Sequence, residues 1–262
     1  DSFSVNFKEL DNTLKKIKNK VAGVIVPSPF GYPIDVKKLD QIQKKYKIQI
    51  IYDAADAFLN FDKNLDNSKI IICCSFHPTK TLPANESGLI ICSKQTKKIL
   101  ESIISFGYIG KKREAKYLGF NGKFSEYDAA IFLANYKRKN LIKKKLFKTL
   151  KNISTKIYKL KLKNLVLQKD IGNTWISHKL CFISKNSNID TLSKKFDKFG
   201  ISIYSAWNKK PIHMHCLFKN FSGSELINTN YIYKKFFTIP VNIDINSKQV
   251  EIIIRSIKKI FK

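Results

Sequence analysis

The sequence predicts an α/β protein, a mostly parallel sheet flanked by helices, followed by a small C-terminal α+β domain. Three observations predict it. Residues 48–52 and 70–74 are short apolar runs rich in β-branched side chains, the composition of strands buried within a sheet. Amphipathic helical patterns precede and separate such runs, as the crossovers of a parallel sheet require. Beyond a lysine-rich stretch that ends near residue 163, the pattern restarts with shorter strands and helices, so we place one domain at 1–150 and a second at 151–262.

Taken in order, Phe7, Leu10, Leu14 and Ile17 recur at helical spacing over residues 7–18, and a strand follows at 21–26. Residues 27–33 carry three prolines and a glycine and read as a strand-end loop. Asp35 caps a helix whose inner face is Val36, Leu39, Ile42 and Tyr46, leading into the strand at 48–52. After the strand at 70–74 come a strand at 88–92, a helix at 94–105 and a loop at 107–124 rich in glycine and lysine. Ser125, with Asp128 three residues on, opens a long helix with Tyr127, Ala130, Ile131 and Ala134 along one face.

In the second domain a strand is expected at 174–183, then a helix with Ile189, Leu192, Phe196 and Phe199 inward, ended by Gly200, and a strand at 201–205. Residues 236–241 form a last strand, and Asn246 and Ser247 cap a helix carrying Val250, Ile253, Ile254, Ile257 and Ile260.

Composition limits the function classes. A formal charge of +29 suggests a polyanion partner. Of the 49 basic residues, however, only Arg113, Arg138 and Arg255 are arginines, the better readers of bases and phosphates, and the lysines are spread along the chain. Nucleic-acid binding is therefore the minor expectation. Five cysteines, at 73, 74, 92, 181 and 216, are odd in number, lack C-x-x-C spacing and read as buried free thiols of a reducing compartment. No signal peptide is visible and no apolar run approaches the roughly 20 residues of a membrane span, which points to a cytoplasmic protein.

The chemistry concentrates at two strand ends. Lys80 follows the strand at 70–74 through Ser75-Phe76-His77-Pro78-Thr79, and Asp53-Ala54-Ala55-Asp56 follows the strand at 48–52. In open α/β sheets the crevice outside the strands' carboxyl ends is where ligands bind. An amine and an acid held there suit pyridoxal phosphate, which needs a lysine for attachment and a carboxylate to keep its ring nitrogen protonated. By themselves these two residues favour a structural ion pair over a cofactor site.

Four ordered motifs extend the pattern: Asp53-Ala54-Ala55; Ser75-Phe76-His77 with Lys80; Glu86-Ser87-Gly88; and Gly119-Phe120-Asn121-Gly122-Lys123-Phe124-Ser125-Glu126-Tyr127-Asp128-Ala129-Ala130. Together they resemble the DegT/DnrJ family of nucleotide-sugar aminotransferases, fold-type I pyridoxal-phosphate enzymes, from near residue 1 to the C-terminus. The resemblance implies that Lys80 is the Schiff-base lysine, that Asp53 partners the pyridine nitrogen, that Ala55 packs on the ring, and that Ser75 bonds the cofactor phosphate. Asn121 would reach that phosphate from the neighbouring subunit of a homodimer with shared active sites. Lys111 and Lys112 would meet the diphosphate of a nucleotide sugar, while His77 and His213 would contact substrate. His213 and His215 alternate as a metal pair would, without an evident third ligand.

This sequence departs from the family in three places. Asp56 stands where the family usually has Gln or His bonding the ring hydroxyl, and Ser87 replaces a glycine whose turn would strain if it needed positive φ. Asp1-Ser2-Phe3-Ser4 resembles the middle of the family's large domain, so the N-terminal portion of that domain, with its phosphate-binding helix, is expected to be lacking. The implied reaction is a two-stage transamination from glutamate or another amino acid to a nucleotide-linked keto-sugar, for aminosugar and surface polysaccharide biosynthesis. Lys80 would move the proton. Relatives that dehydrate carry His at the lysine position, so Lys80 favours transfer. The alternatives are a catalytically degenerate fold-type I protein or fragment and a basic nucleic-acid-binding protein.

Overall fold

A computed structural model describes residues 2–17, 20–61, 69–111, 113–205, 210–221 and 226–262. The chain forms two compact units: residues 4–141, and residues 142–262 together with 1–3.

The first unit runs α1 (Phe7–Ile17), β1 (Gly23–Pro27), α2 (Val36–Tyr46), β2 (Gln49–Asp53), β3 (Ile71–Ser75), β4 (Gly88–Ile91), α3 (Lys94–Ile103), the short β5 (Tyr108–Ile109) and β6 (Glu114–Ala115), and α4 (Glu126–Lys137). β1, β2 and β3 are parallel neighbours and β4 adds antiparallel to β3. A 4-residue strand can reverse direction without a helical crossover because the 76–87 segment simply turns back on the sheet edge.

Side chains of one strand face, Val26, Ile50, Tyr52, Ile72 and Cys74, join Leu14 of α1 and Leu39 and Ile42 of α2 in one core cluster. Alternate residues point to the other face, where Ile25 stays 68% exposed, so the runs read as wholly buried are buried on one side. The reason is that both helices joining this cluster serve the same face. Asp35 caps α2 as expected, its carboxylate accepting from the Lys38 N–H.

α4 differs from its sequence reading. Tyr127, Ala130, Ile131 and Ala134 are exposed, and no residue of the helix is buried. Its orientation is set instead by Phe132, whose ring lies 4.5 Å from that of Phe76, and by Asn135, whose amide donates to the Pro83 carbonyl. Ser125 Oγ accepts from the Asp128 N–H and begins the helix where the sequence places it.

The second unit contains α5 (Lys139–Lys159, which starts just before the boundary), β7 (Leu165–Leu167), β8 (Lys179–Ser184), α6 (Ile189–Asp197), α7 (Ile227–Ile232), β9 (Phe236–Pro240) and α8 (Ser247–Phe261). Its antiparallel sheet has the order β7-β8-β9. The strand expected from 174 starts only at Lys179, because the 170–175 segment turns instead. Gly172 takes a φ of 75°, and Trp175 is fully buried with its indole N–H donating to the Lys169 carbonyl. The strand expected at 201–205 reduces to a bridge between Tyr204 and Thr238. Ile189, Leu192 and Phe196 face inward, and Asn246 forms a full capping box with Gln249. Of the cysteines only Cys74 and Cys181 are buried; Cys216 is exposed, correcting the reading of all five as interior thiols.

Candidate active site

The parallel register decides what meets at the sheet edge. Pro27, Asp53 and Cys73 are direct neighbours across β1, β2 and β3, so the loops that follow leave the sheet side by side. Ladder hydrogen bonds continue to the edge, from Ser28 N–H to the Asp53 carbonyl and from Ala54 N–H to the Cys73 carbonyl, both 2.8 Å. Asp53 and Lys80 therefore leave neighbouring strands at one carboxyl edge.

The loop after β2 is a tight turn. Asp53 Oδ1 accepts the Ala55 N–H at 3.1 Å, and Ala57 N–H donates to the Ala54 carbonyl. Ala54 and Ala57 are fully buried, while Ala55 is partly open. This turn presents Asp56 towards the loop after β3. There Ser75 Oγ accepts the His77 N–H at 3.2 Å and the Lys80 N–H donates to the His77 carbonyl at 2.8 Å. The result is an ion pair between Lys80 Nζ and Asp56 Oδ1 at 2.7 Å, with the two side chains only 19% and 14% exposed. The acid that meets Lys80 is thus Asp56, where the sequence reading paired Lys80 with Asp53.

His77 is fixed from both sides. Its Nδ1 accepts the Thr79 N–H, and its Nε2 faces Glu86 Oε1 at 3.3 Å. Ser87 is not strained. The positive φ of that turn falls on Asn85, at 58°, and the Ser87 hydroxyl donates to the Ala84 carbonyl.

An aromatic cluster beneath the two loops escaped the sequence reading. Phe76, 1% exposed, meets Phe58 edge-on at 5.1 Å, and both rings meet Phe132 of α4. Phe58 and Phe76 belong to the Asp56 and Lys80 loops, so the cluster clamps these loops together. The available signal was their position, two residues after Asp56 and one after Ser75.

Burial pushes the Cys74 thiol up to about 12 and raises Cys73, where the nearby Asp53 charge adds to the shift. Neither thiol is a ready nucleophile. Tyr52 is also raised by burial, against the donation it receives from the Ile34 N–H.

Of the remaining predicted residues, Asn121 is exposed and bridges to Ser105, and Lys111 is exposed in the turn between β5 and β6. Lys112 lies outside the described residues. His213 belongs to the second unit, its Nε2 2.8 Å from Asn230 Oδ1. An amine, a carboxylate, a hydroxyl and a small residue at one sheet edge are a donor set that fits pyridoxal phosphate.

Fold and site together define an α/β protein of the aminotransferase kind. A solved DegT/DnrJ/EryC1/StrS aminotransferase from Brucella abortus superposes with a TM-score of 0.85 at 17% identity, covering 100% of this chain and 71% of that one. PseC of Helicobacter pylori, an aminotransferase involved in pseudoaminic acid biosynthesis, gives a TM-score of 0.82 at 17% identity over 98% of this chain and 72% of that one. In sequence, 107 residues are 36% identical to the dTDP-4-amino-4,6-dideoxy-D-glucose transaminase of Shigella dysenteriae, a match spanning 40% of this chain and 29% of that protein. The profile of the DegT/DnrJ/EryC1/StrS aminotransferase family matches residues 5–258, and the chain belongs to that family.

Proposed function

We propose that the protein is a pyridoxal-phosphate-dependent aminotransferase that moves an amino group from an amino acid, glutamate by preference, to a nucleotide-linked keto-sugar for aminosugar and surface polysaccharide biosynthesis. The observation that carries this is the pair of neighbouring parallel strands whose carboxyl-end loops bring the Asp53–Asp56 turn and Lys80 together, Lys80 meeting Asp56. Family membership and the relatives' transaminase chemistry support it. The cofactor, when bound, supplies an electron sink that acidifies the carbon bearing the amine.

The chain's residues supply the rest. Lys80 Nζ holds the cofactor and, once free, carries a proton between the two reacting carbons. Asp53 keeps the ring nitrogen protonated, a role that needs a carboxylate fixed by its own turn, as Asp53 is by the Ala55 N–H. Ser75 Oγ bonds the phosphate, and Ala55 lets the ring approach the backbone. Lys111 and Lys112 meet the diphosphate, with His77 and His213 as further substrate contacts. The enzyme acts as a cytoplasmic homodimer, Asn121 completing the partner's site.

Adding pyridoxal phosphate to the chain should produce an absorption band that Lys80→Ala abolishes, and borohydride should fix the cofactor on the Lys80 peptide. Retention that is the same in Lys80→Ala would exclude this reading and favour a degenerate family member.

A further inference from the structure

Asp56 is unexpected chemistry at this position, since a neutral Gln or His is the family's usual residue and a carboxylate would repel a phenolate beside it. Its partner in the structure is the nitrogen on which attachment depends. We propose that Asp56 is a positioning residue acting through Lys80, a carboxylate latch that grips the lysine nitrogen away from the cofactor position and must release it before the cofactor can attach. This rests on the assignment of Lys80 as the attachment lysine.

The geometry supports a latch over an incidental surface pair. The contact is 2.7 Å long and largely shielded from water, the setting in which charge-assisted hydrogen bonds are strongest. Both partners are held by short turns, Asp56 within the Ala54–Ala57 hydrogen-bonded turn and Lys80 by its own N–H to the His77 carbonyl. The aromatic contact of Phe58 with Phe76 keeps the two loops in register. The other charged groups on these loops are engaged elsewhere: Asp53 accepts the Ala55 N–H, and Glu86 faces His77. Two carboxylates three residues apart are also less repulsive when one is neutralised by Lys80.

Attachment requires a lone pair, which an ammonium lacks. The nitrogen must first give one proton to solvent; it then forms the bond to the aldehyde carbon, and the aldehyde oxygen leaves as water carrying the two remaining hydrogens of the nitrogen. Asp56, by gripping the nitrogen at 2.7 Å, slows this sequence. An uncharged side chain at 56 speeds it.

The test is competitive acetylation of the cofactor-free chain with acetic anhydride, reading the Lys80 rate against exposed Lys144 by peptide mass. In Asp56→Asn and in Asp56→Gln the Lys80-to-Lys144 ratio should rise roughly threefold or more, the worth of a pair contributing about 0.7 kcal/mol. Asp56→Glu, which keeps the charge, should stay nearer the parent. An unchanged ratio in both neutral variants overturns the latch, and so does a parent chain in which Lys80 reacts as fast as Lys144, a measurement that needs no variant to fold. Capture of pyridoxal phosphate on Lys80, fixed by borohydride, should accelerate in the same two variants. A chain that never captures the cofactor would overturn the latch together with the assignment of Lys80, whereas one that captures it on Lys80 with an unchanged ratio and rate in the neutral variants would overturn the latch alone.

Discussion

Asp53 and Asp56 lie three residues apart on one loop and have opposite assignments. Asp53 is fixed by a backbone N–H and is the proposed partner of the ring nitrogen, whereas Asp56 is held against Lys80. Asp53→Asn should therefore slow the amino-acid half-reaction by about a hundredfold or more, measured in single turnover, because a neutral amide cannot hold the proton that makes the ring an electron sink. Asp11 offers a separate test by pH. Lys45 and Tyr46 hold its carboxyl down at about 2, joining α1 to α2. A carboxyl lowered in the folded state stabilises above its unfolded value of about 4 and loses that contribution as pH falls towards 2. The denaturation midpoint should drop across that window, and Asp11→Asn should flatten the drop. Lys45, raised chiefly by Asp11, contributes in the opposite direction and is lost at strongly alkaline pH.

Among the elements, the loop between α3 and α4 depends on a backbone crossing that only glycine permits. A Cβ on Gly119 would stand 2.0 Å from the Gly107 nitrogen, and one on Gly107 would stand 1.8 Å from the Tyr117 carbonyl oxygen. This crossing places Asn121 opposite Ser105. Gly119→Ala should displace Asn121 and, on the proposed function, lower cofactor retention while leaving the core cluster intact, which hydrogen exchange of β1 to β3 would show. The capping box of α8 is a more local device. Asn246→Ala should cost about 1 kcal/mol in denaturant unfolding and leave cofactor capture unchanged. The cap at Asn246-Ser247 was legible in the sequence because capping is set by residues within a few positions; of the loop only its glycine and lysine richness was, since the crossing joins Gly107 to Gly119. The inner face of α4 was not legible. A helix that is apolar almost all round gives no periodic signal, and its side was chosen by Phe76 and Pro83, some 50 residues away.

For the whole molecule, the net charge of +29 bears on association. Random-sequence oligonucleotide should bind weakly at low salt and be released by about 0.2 M salt, since spread lysines give only counterion-driven affinity. Sedimentation should report the proposed dimer at the same salt, where screening over about 8 Å relieves repulsion between like-charged copies. Sequence alone determined the α/β class, the strand ends carrying Asp53 and Lys80, and the ordered family motifs, because buried strands and turn residues are written in local composition. Only the tertiary structure decided that β4 runs antiparallel, that one sheet face keeps Ile25 exposed, that Phe58 and Phe76 clamp the loops, and that Lys80 meets Asp56 rather than Asp53. Those are contacts between distant segments, fixed by register and by the direction in which each turn points its side chains, and no local pattern records them.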